Sequence, residues 1–450
     1  MLSIALASAA YAAKDNDVAD HWAVLVAGSS GFGNYRHQAD VCHAYQIFKR
    51  AGVPESQIIT LAVDDIAHSS ENPFPGKIFN QPTAAGVPGV DVYAGCVIDY
   101  SGTQVTPETF TKVLTGDATG LNGGKVLKST SSSRVFVNFV DHGGVDIIGF
   151  PETTMHAKEL VGALQTMNTK QMYKELVFYL EACESGSMFL NLPANIRIYA
   201  TTAANAAESS WGTYCMPDDM VDGKHVGSCL GDLYSVNWMQ DTDKALPSET
   251  LGKQYERVKQ LTTKSHVLQF GDETITSEPV TAFEGDGPAA VEAAPQCYAM
   301  CSSLPTMFKC LSFSPCAQCS ECQTVEEDSA SAAASLPSAD AALSSAFHRF
   351  ITTGSDKAAT ELMRGVQARQ LAKTRFDAIS RKVANRAAVE LDAYDNIEHD
   401  CHFAAYKAYK ETCGEWDVEA LVHSTTLAKL CKHTRGDSRE ITAAMKSVCA

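Results

Sequence analysis

Long hydrophobic runs and a surplus of positive charge are both missing from this chain of 450 residues. No stretch approaches the roughly 20 consecutive apolar residues that a membrane-spanning helix needs, so we expect no span. The 36 lysines and arginines are outnumbered by 53 aspartates and glutamates, which leaves a formal net charge of −17. Phosphate backbones and anionic lipids repel so acidic a chain, and neither nucleic acid nor a membrane is expected as a partner.

The amino terminus lacks any lysine or arginine before Lys14. Residues 2–13 are apolar and rich in alanine, and the Ala-Tyr-Ala motif at positions 10–12 fits the small-residue pattern that signal peptidase cleaves. We therefore expect residues 1–19 to be a signal peptide or an amino-terminal propeptide. A truncated start of the chain is the alternative, because the usual basic residues are absent.

Residues 20–285 alternate short apolar runs with amphipathic segments. The runs are apolar on both faces and too short for helices, so buried strands are expected. This alternation is typical of an α/β domain with a mostly parallel sheet flanked by helices. Strands are expected at residues 22–27, 58–63, 135–140, 176–180, 196–201 and 267–271, and helices at 39–51, 107–114, 155–167 and 248–261.

Two short strings follow two of these strands directly, Asp-His-Gly-Gly at 141–144 and Glu-Ala-Cys-Glu-Ser-Gly at 181–186. The carboxyl ends of neighbouring parallel strands meet at one crevice, so His142 and Cys183 are expected to lie close together. A cysteine with a histidine partner is the pattern of a nucleophile and its base. The backbone amides of Gly143 and Cys183 would form an oxyanion hole.

The composition changes after the α/β segment. Residues 286–345 are rich in Ala, Ser and Pro, which is typical of a linker, and they hold six cysteines. The last three have a CxxCxxC spacing that suits a metal or an iron–sulfur cluster, although a disulfide knot is favoured in a secreted chain. Residues 346–450 have helical apolar spacing, so an all-helical unit is expected.

Charge is unevenly distributed between the two ends of the chain. Residues 341–450 contain 16 lysines and arginines and 14 aspartates and glutamates, a balance of +2, so the remainder carries −19. This asymmetry suggests electrostatic attraction between a carboxy-terminal unit and an acidic body. The alternative is that both are ordinary solvated surfaces.

Several longer strings occur in an order that belongs to a known family. They are AGSSGFGNYRHQADVCHAY at 27–45, DHGG at 141–144, EACESGSM at 181–188, YATTAANAAESSWGTYC at 199–215 and CLGDLYSVNWMQDTD at 229–243. With them the chain resembles the legumain family of caspase-like cysteine peptidases, which includes vacuolar processing enzymes. The resemblance covers roughly residues 20–280 and returns in the last hundred. It implies a caspase-like fold and cleavage of proteins and peptides after Asn, and after Asp at acid pH, with no cofactor and no metal.

The resemblance also implies catalytic roles. Cys183 would be the nucleophile that forms an acyl-enzyme, and His142 would protonate the leaving amine. A nearby imidazolium is expected to lower the pKa of the thiol. Asn34 would orient the histidine through its side-chain carbonyl, with a turn-forming asparagine as the alternative.

Substrate choice is assigned by the resemblance to Arg36, His37, Glu181, Ser209 and Asp232. An Asn side chain offers an acceptor and two donors, so a pocket with a guanidinium and carboxylates can satisfy both of its ends. An Asp side chain would meet these carboxylates as a like charge unless it is protonated. On residue types alone, a structural ion pair is the alternative.

Cysteine pairing is expected from the same source. The family pattern implies disulfides Cys215–Cys229 beside the cleft, as in plant members, and Cys401–Cys431 and Cys413–Cys449 in a helical prodomain. Cys42 is expected to be buried and inert, and Cys96 has no evident partner.

The resemblance implies a zymogen whose own prodomain, residues 346–450, inhibits it, in the secretory pathway, in an acidic lysosome-like or vacuole-like compartment, or outside the cell. Two other functions are considered, one that uses the same catalytic site and one in which that site is inactive. An asparaginyl peptide ligase would pass the acyl group to an amine, and a catalytically dead binding protein would lack the intact Cys183 and His142. A transamidase of the kind that attaches lipid anchors to proteins is disfavoured, because no membrane span is expected in this chain and a prodomain is.

Asparagine is absent between Asn237 and Asn385. An enzyme that prefers Asn therefore has no preferred site in the segment that must be cut to release a prodomain. Self-processing is expected at Asp286, Asp328 or Asp340, and cleavage by another peptidase is the alternative.

Overall fold

A computed structural model describes residues 20–244, 248–285, 329–386 and 397–449. The expected signal peptide, the six linker cysteines, and two of the predicted processing sites, Asp286 and Asp328, lie outside the described residues. Within the described ranges, no helix is both long and apolar enough to cross a bilayer. We call residues 20–285 the body and residues 338–449 the carboxy-terminal unit.

A six-stranded sheet forms the centre of the body. Its strands are β1 (His21–Ala27), β2 (Ile58–Leu61), β3 (Arg134–Val140), β7 (Glu175–Glu181), β8 (Ile198–Thr202) and β13 (Leu268–Gly271). Their order in space is β13-β8-β7-β3-β1-β2. All neighbouring pairs are parallel except β13 with β8, which closes one edge in the antiparallel sense. The predicted mostly parallel sheet is confirmed.

Helices cover both faces of this sheet because its strands are apolar on both faces. On β1, Val24 and Val26 face one layer of the core, whereas Ala23 and Leu25 face the other. Burial of each large apolar side chain contributes about 1.5–3 kcal/mol. The first layer is covered by α2 (Pro107–Thr115) and α3 (Ala157–Thr169), and the second by α1 (Tyr35–Arg50), α4 (Leu233–Lys244), α5 (Leu251–Leu261) and α6 (Thr281–Glu284).

Short strands form three smaller sheets apart from the central one. One small sheet contains β4 (Gly143–Gly144), β5 (Ile147–Phe150) and β6 (Thr153–His156), and a hairpin contains β10 (Met220–Val221) and β11 (Lys224–His225). A third set, in the order β12-β9-β14, joins β9 (Trp211–Thr213), β12 (Gly231–Asp232) and β14 (Leu336–Pro337). The last strand lies inside the predicted linker, so part of that linker is ordered against the body.

The described residues after β14 are mainly helical, as predicted. The helices of this region, with the short one before β14, are α7 (Ser329–Ala332), α8 (Ser338–Thr353), α9 (Asp356–Ala384), α10 (His399–Thr412), α11 (Val418–Leu421), α12 (Ser424–His433) and α13 (Arg439–Cys449). Phe376, Leu430 and Ile441 share their core with Ile147 of the body. Helix α8 begins at Ser338 rather than near residue 346, because Pro337 fixes the entry and a body carbonyl holds the Ser338 amide.

Four disulfides join the described cysteines. Cys215–Cys229, Cys401–Cys431 and Cys413–Cys449 form as expected. Cys42 is buried as expected, but it is not an inert free thiol and Cys96 is not without a partner, because the two are bonded to each other across 54 residues. Cys96 lies in a long irregular loop whose path over α1 has no local sequence pattern, so its partner could not be inferred. Among the described residues, Cys183 is the one free cysteine.

Candidate active site

His142 and Cys183 follow the adjacent parallel strands β3 and β7, and both line one cavity of about 370 Å³. The amide of Asp141 donates to the carbonyl of Glu181 (3.0 Å), which continues the pairing of these strands up to the two residues. The predicted crevice is therefore where the sheet topology places it.

Asn34 lies beside the histidine. Its Oδ1 is 2.9 Å from Nε2 of His142, while its Nδ2 donates to the carbonyl of Ser30 (2.9 Å). Because Nδ2 is used as a donor, Oδ1 accepts from Nε2–H of the ring. Nδ1 of His142 is buried without a hydrogen-bond partner among the described residues, which leaves it available to exchange a proton.

The thiol and the imidazole are both neutral in this closed arrangement. Burial, with the charge of Glu184, raises the pKa of Cys183 to about 11, and burial lowers the pKa of His142 well below its usual range. The expected thiolate is therefore not the resting form, since an imidazolium cannot persist in so dry a site. Sγ of Cys183 lies 3.1 Å from Oγ of Ser209.

The glycine after the histidine permits a close approach of the two strings. A Cβ added at Gly143 would lie 2.3 Å from the carbonyl oxygen of Cys183, a distance that no side chain can adopt. The structure thus places the Gly143 and Cys183 backbones together, as an oxyanion hole requires.

A buried charge cluster lies next to this pair. Nε of Arg36 donates to Oδ1 of Asp232 (2.8 Å), and Nε2 of His37 lies 3.6 Å from Oδ2 of Asp232. Oε2 of Glu181 accepts hydrogen bonds from the amide and the hydroxyl of Ser235 (2.9 Å each). Four of the five predicted pocket residues thus form one cluster, whereas Ser209, the fifth, contacts the thiol.

The electrostatics of the cluster are dominated by burial. Burial raises the pKa values of Glu181 and Asp232, and the neighbouring Asp232 charge raises that of Glu181 further. Burial, with the charge of Arg36, lowers the pKa of His37, which is therefore neutral. Oε1 of Glu181 and Oδ2 of Asp232 have no hydrogen-bond partner within the described part of the chain. The pocket can therefore accept a hydrogen-bond donor.

Ser338 occupies this pocket, a contact that no sequence pattern predicted. Nη2 of Arg36 donates to its Oγ (2.7 Å) and to its carbonyl oxygen (3.2 Å). The two preceding residues, in β14, pair antiparallel with β9, and the amide of Ser338 donates to the carbonyl of Ser210 (2.9 Å). Residues 336–338, which we call the cleft segment, thus enter the cleft as the strand Leu336–Pro337, in the extended form that a peptide substrate would adopt, and the helix begins at Ser338.

The carboxy-terminal unit covers the cavity. Arg369, Lys373, Val422 and His423 line it together with His142 and Cys183 of the body. Oγ of Ser424 accepts from the amide of Val145 (2.7 Å), immediately after the glycines that follow the catalytic histidine. The site is therefore closed by the chain's own carboxy-terminal half.

Two buried groups in the described residues have the side chains of metal ligands, namely His37, Asp141 and His142, and Asp146, His156 and His402. The first belongs to the site above. In the second, Nδ1 of His156 accepts the amide hydrogen of Lys158 (3.1 Å), so its proton lies on Nε2, which faces Nδ1 of His402 (3.2 Å). A protonated nitrogen cannot bind a metal, and we assign none to either group.

A family model described as the Peptidase C13 family matches residues 21–286. The chain is 49% identical over 289 residues to legumain from Homo sapiens, with 63% of this chain and 64% of the relative covered. It is 48% identical over 277 residues to hemoglobinase from Schistosoma japonicum (61% and 62%), and 47% identical over 280 residues to vacuolar-processing enzyme beta-isozyme 1 from Oryza sativa subsp. japonica (60% and 55%). The chain thus spans less than two thirds of the length of these relatives. Caspase-1 from Spodoptera frugiperda aligns with a TM-score of 0.36 and 10% identity over 61% of this chain and 93% of that one.

Proposed function

Because the chain belongs to the Peptidase C13 family, we propose that it is a cysteine endopeptidase that cleaves proteins and peptides after Asn, and after Asp at acid pH. The observation that carries this proposal is the arrangement of Cys183, His142 and Asn34 beside a buried pocket of Arg36 and Asp232. The first three supply a nucleophile, a base and an orienting group, and the pocket supplies complementary contacts for a side-chain amide.

The reaction follows from these positions. Once the site is open, Nδ1 of His142 takes the thiol proton and the sulfur of Cys183 attacks the peptide carbonyl carbon. The resulting oxyanion is stabilised by the amides of Gly143 and Cys183. His142 then returns the proton to the departing amine as the C–N bond breaks, which leaves a thioester. Water, deprotonated by the same ring, hydrolyses the thioester and frees the thiol.

The pocket explains a preference for Asn. The side-chain carbonyl oxygen of the substrate Asn would accept a hydrogen bond from the guanidinium of Arg36, at the position that Oγ of Ser338 occupies in this structure. The substrate NH₂ group would donate to the unpartnered oxygens of Glu181 and Asp232. An ionised Asp offers no donor and adds a like charge, so it is accepted only when it is protonated.

Glu181→Gln is expected to lower the preference for Asn and to extend Asp cleavage to higher pH. The variant removes a buried negative charge from the pocket, so an ionised Asp is repelled less, while an acceptor for the Asn amide is weakened. We expect the Asn to Asp ratio of kcat/KM near pH 6 to fall about tenfold, measured on two peptides that differ only at the cleaved residue. Glu175→Gln, at the other end of β7, is the matched control, and an unchanged ratio in Glu181→Gln would remove this residue from the pocket.

The position of the cleft segment, and the carboxy-terminal unit that covers the cavity, support a latent enzyme. The carbonyl oxygen of Ser338 is held by Arg36, whereas cleavage needs that oxygen at the oxyanion hole. The next residue, Ala339, already belongs to helix α8, so its peptide bond is not in the extended form that a peptidase cuts. The chain is therefore made as a zymogen that its own carboxy-terminal unit inhibits.

Self-processing at Asp is expected to follow a defined order. Asp340 lies in α8, and its carboxylate accepts from Nη1 of Arg369 (2.7 Å), so this helix must unwind before Asp340 can be cut. We expect new carboxyl termini at Asp286 or Asp328 to precede any at Asp340 when purified zymogen is held at acid pH and followed by mass spectrometry. The same fragments from the Cys183→Ala variant would assign the cutting to another peptidase.

An acidic compartment of the secretory pathway fits these requirements. Similarity to proteins named legumain and vacuolar-processing enzyme supports a lysosome-like or vacuole-like location. The four disulfides of the described residues support an oxidising route to it.

One assay tests the proposed activity. Acid-treated protein is incubated with an Asn-containing peptide, with and without an added amine nucleophile. Hydrolysis in both mixtures supports the endopeptidase, whereas a dominant product joined to the amine would make the chain a ligase. No turnover by fully processed protein would contradict the proposal.

A further inference from the structure

Asp40 lies one helical turn beyond Arg36 on α1 and is completely buried. Its Oδ2 accepts from the amide of Asp232 (3.1 Å), and its Oδ1 accepts from Nδ2 of Asn80 (2.7 Å). Nδ2 of Asn80 also donates to the carbonyl of Leu230 (3.0 Å). Asp40 therefore ties the helix that carries Arg36 to the strand that carries Asp232.

Asp40 is 0% exposed and closely packed on the side of Gly231. A Cβ added at Gly231 would lie 3.1 Å from Oδ1 of Asp40, 2.9 Å from Nδ2 of Asn80 and 2.4 Å from Cγ2 of Val236. A carboxylate so enclosed is screened little, so its charge acts on its neighbours more strongly than a surface charge would.

The charge balance around Asp40 is uneven. The charged or titratable groups around Asp40 are Glu181 and Asp232, which act on it directly, Arg36 and His37, which contact Asp232, and His43, which contacts Asn80. Arg36 is the one permanent cation among these groups, and burial keeps His37 neutral. Three ionised carboxylates would leave two negative charges uncompensated inside the protein. Burial, together with the charges of Asp232 and Glu181, accordingly raises the pKa of Asp40, so its negative charge forms only as the pH rises.

We propose that Asp40 is a positioning residue of the specificity pocket, which aligns Asp232 with Arg36 and whose charge sets the pH above which an Asp substrate is refused. The inference rests on the proposed function, because it concerns the residue accepted in that pocket. Every negative charge beside Asp232 makes the pocket more repulsive to an ionised substrate carboxylate. Asp40 acts through Asp232 and Arg36 and does not need to touch the substrate.

Asp40→Asn tests the proposal, because it removes the charge and keeps the size of the side chain. The full chain is activated at acid pH, and kcat/KM is measured between about pH 4 and pH 7 on peptides that differ only in Asn or Asp at the cleaved position. We expect the ratio of Asp to Asn cleavage near pH 6 to rise about three- to tenfold, with cleavage after Asn changed less. A residue that only supports the fold would lower both rates by the same factor and leave the pH profile in place.

Asn80→Asp provides the opposite change. It adds a carboxyl group beside Asp40, so the Asp limb of the profile should move to lower pH, and this test holds even when Asp40→Asn does not fold. Asp99→Asn is the matched control, because this carboxylate pairs with Lys125 (2.8 Å) and is not part of the pocket cluster. Unshifted profiles in the foldable variants would overturn the proposal for Asp40, whereas wild-type protein that cleaves neither peptide would instead overturn the proposed function.

Discussion

Replacing Cys183 with alanine is expected to abolish cleavage after Asn, by at least about a thousandfold in kcat/KM, and to leave the fold intact. The loss is this large because no thioester can form, and the oxyanion hole and pocket alone retain only weak catalysis. The thiol makes no disulfide and its nearest polar contact is the hydroxyl of Ser209, so its removal costs little stability. The measurement is hydrolysis of an Asn peptide by acid-processed protein, with the thermal unfolding midpoint as the check on folding.

Two further variants separate loss of the catalytic pair from loss of a neighbouring contact. His142→Ala should lose activity to a similar degree, because the base and the nucleophile act as a unit. Ser209→Ala, which contacts the thiol without taking part in bond making, should lose about tenfold or less. Cleavage by Cys183→Ala at more than a few per cent of the wild-type rate would mean that another group is the nucleophile.

The meeting of His142 and Cys183 was predictable, because two apolar strands of similar length in a βαβ pattern fix where their carboxyl ends lie. Every strand of the central sheet was located to within two residues at each end for the same reason. The occupation of the pocket by Ser338 was not predictable, since it depends on how a serine-rich segment meets a distant strand. The neutral thiol also escaped prediction, because the pKa of Cys183 follows from burial by the carboxy-terminal unit rather than from its own string.

Attraction between opposite charges does not by itself explain how the carboxy-terminal unit is released from the body in acid. Lys158 holds the pKa of Asp400 below its usual range, so this surface contact is lost only as the pH falls through the acid range of a carboxylate. Glu184 and Glu419 have the opposite shift, because burial raises their pKa values. A raised carboxyl pKa in the closed form means that acid stabilises closure at these two positions. The attraction of opposite charges therefore does not explain opening between neutral and mildly acid pH.

A buried pair of histidines between the body and the carboxy-terminal unit makes their contact sensitive to pH. Nε2–H of His156, in the body, donates to Nδ1 of His402, in the carboxy-terminal unit (3.2 Å). Nearby, Nδ1 of His399 lies 2.7 Å from the buried carboxylate of Asp146. Burial lowers the pKa values of both members of the pair below 6.5; the neighbouring His402, His399 and Lys158 lower that of His156 further, whereas the charge of Asp146 partly opposes the lowering at His402. A proton on Nδ1 of His402 would set two donors against each other and break the contact.

The sign of the effect follows from these shifts. A histidine whose pKa is lower in the closed form stabilises closure fully above its free pKa near 6.5, and this stabilisation falls progressively as the pH drops below that value. The closed zymogen should therefore begin to open below about pH 6.5, before most carboxylates take up protons.

Unprocessed protein is thus expected to hide its thiol at neutral pH and to expose it in mild acid. The labelling rate of Cys183 by a disulfide reagent that works in acid should rise at least about a hundredfold between pH 7 and pH 5, once the rate is normalised to that of the processed enzyme. His402→Asn keeps an acceptor for His156 but cannot take up a proton, so exposure should move to lower pH, whereas His433→Asn, on an exposed side chain, should not move it. Equal labelling of the intact chain at both pH values would contradict the expected latency, and an unshifted His402→Asn profile would assign the acid response to other groups.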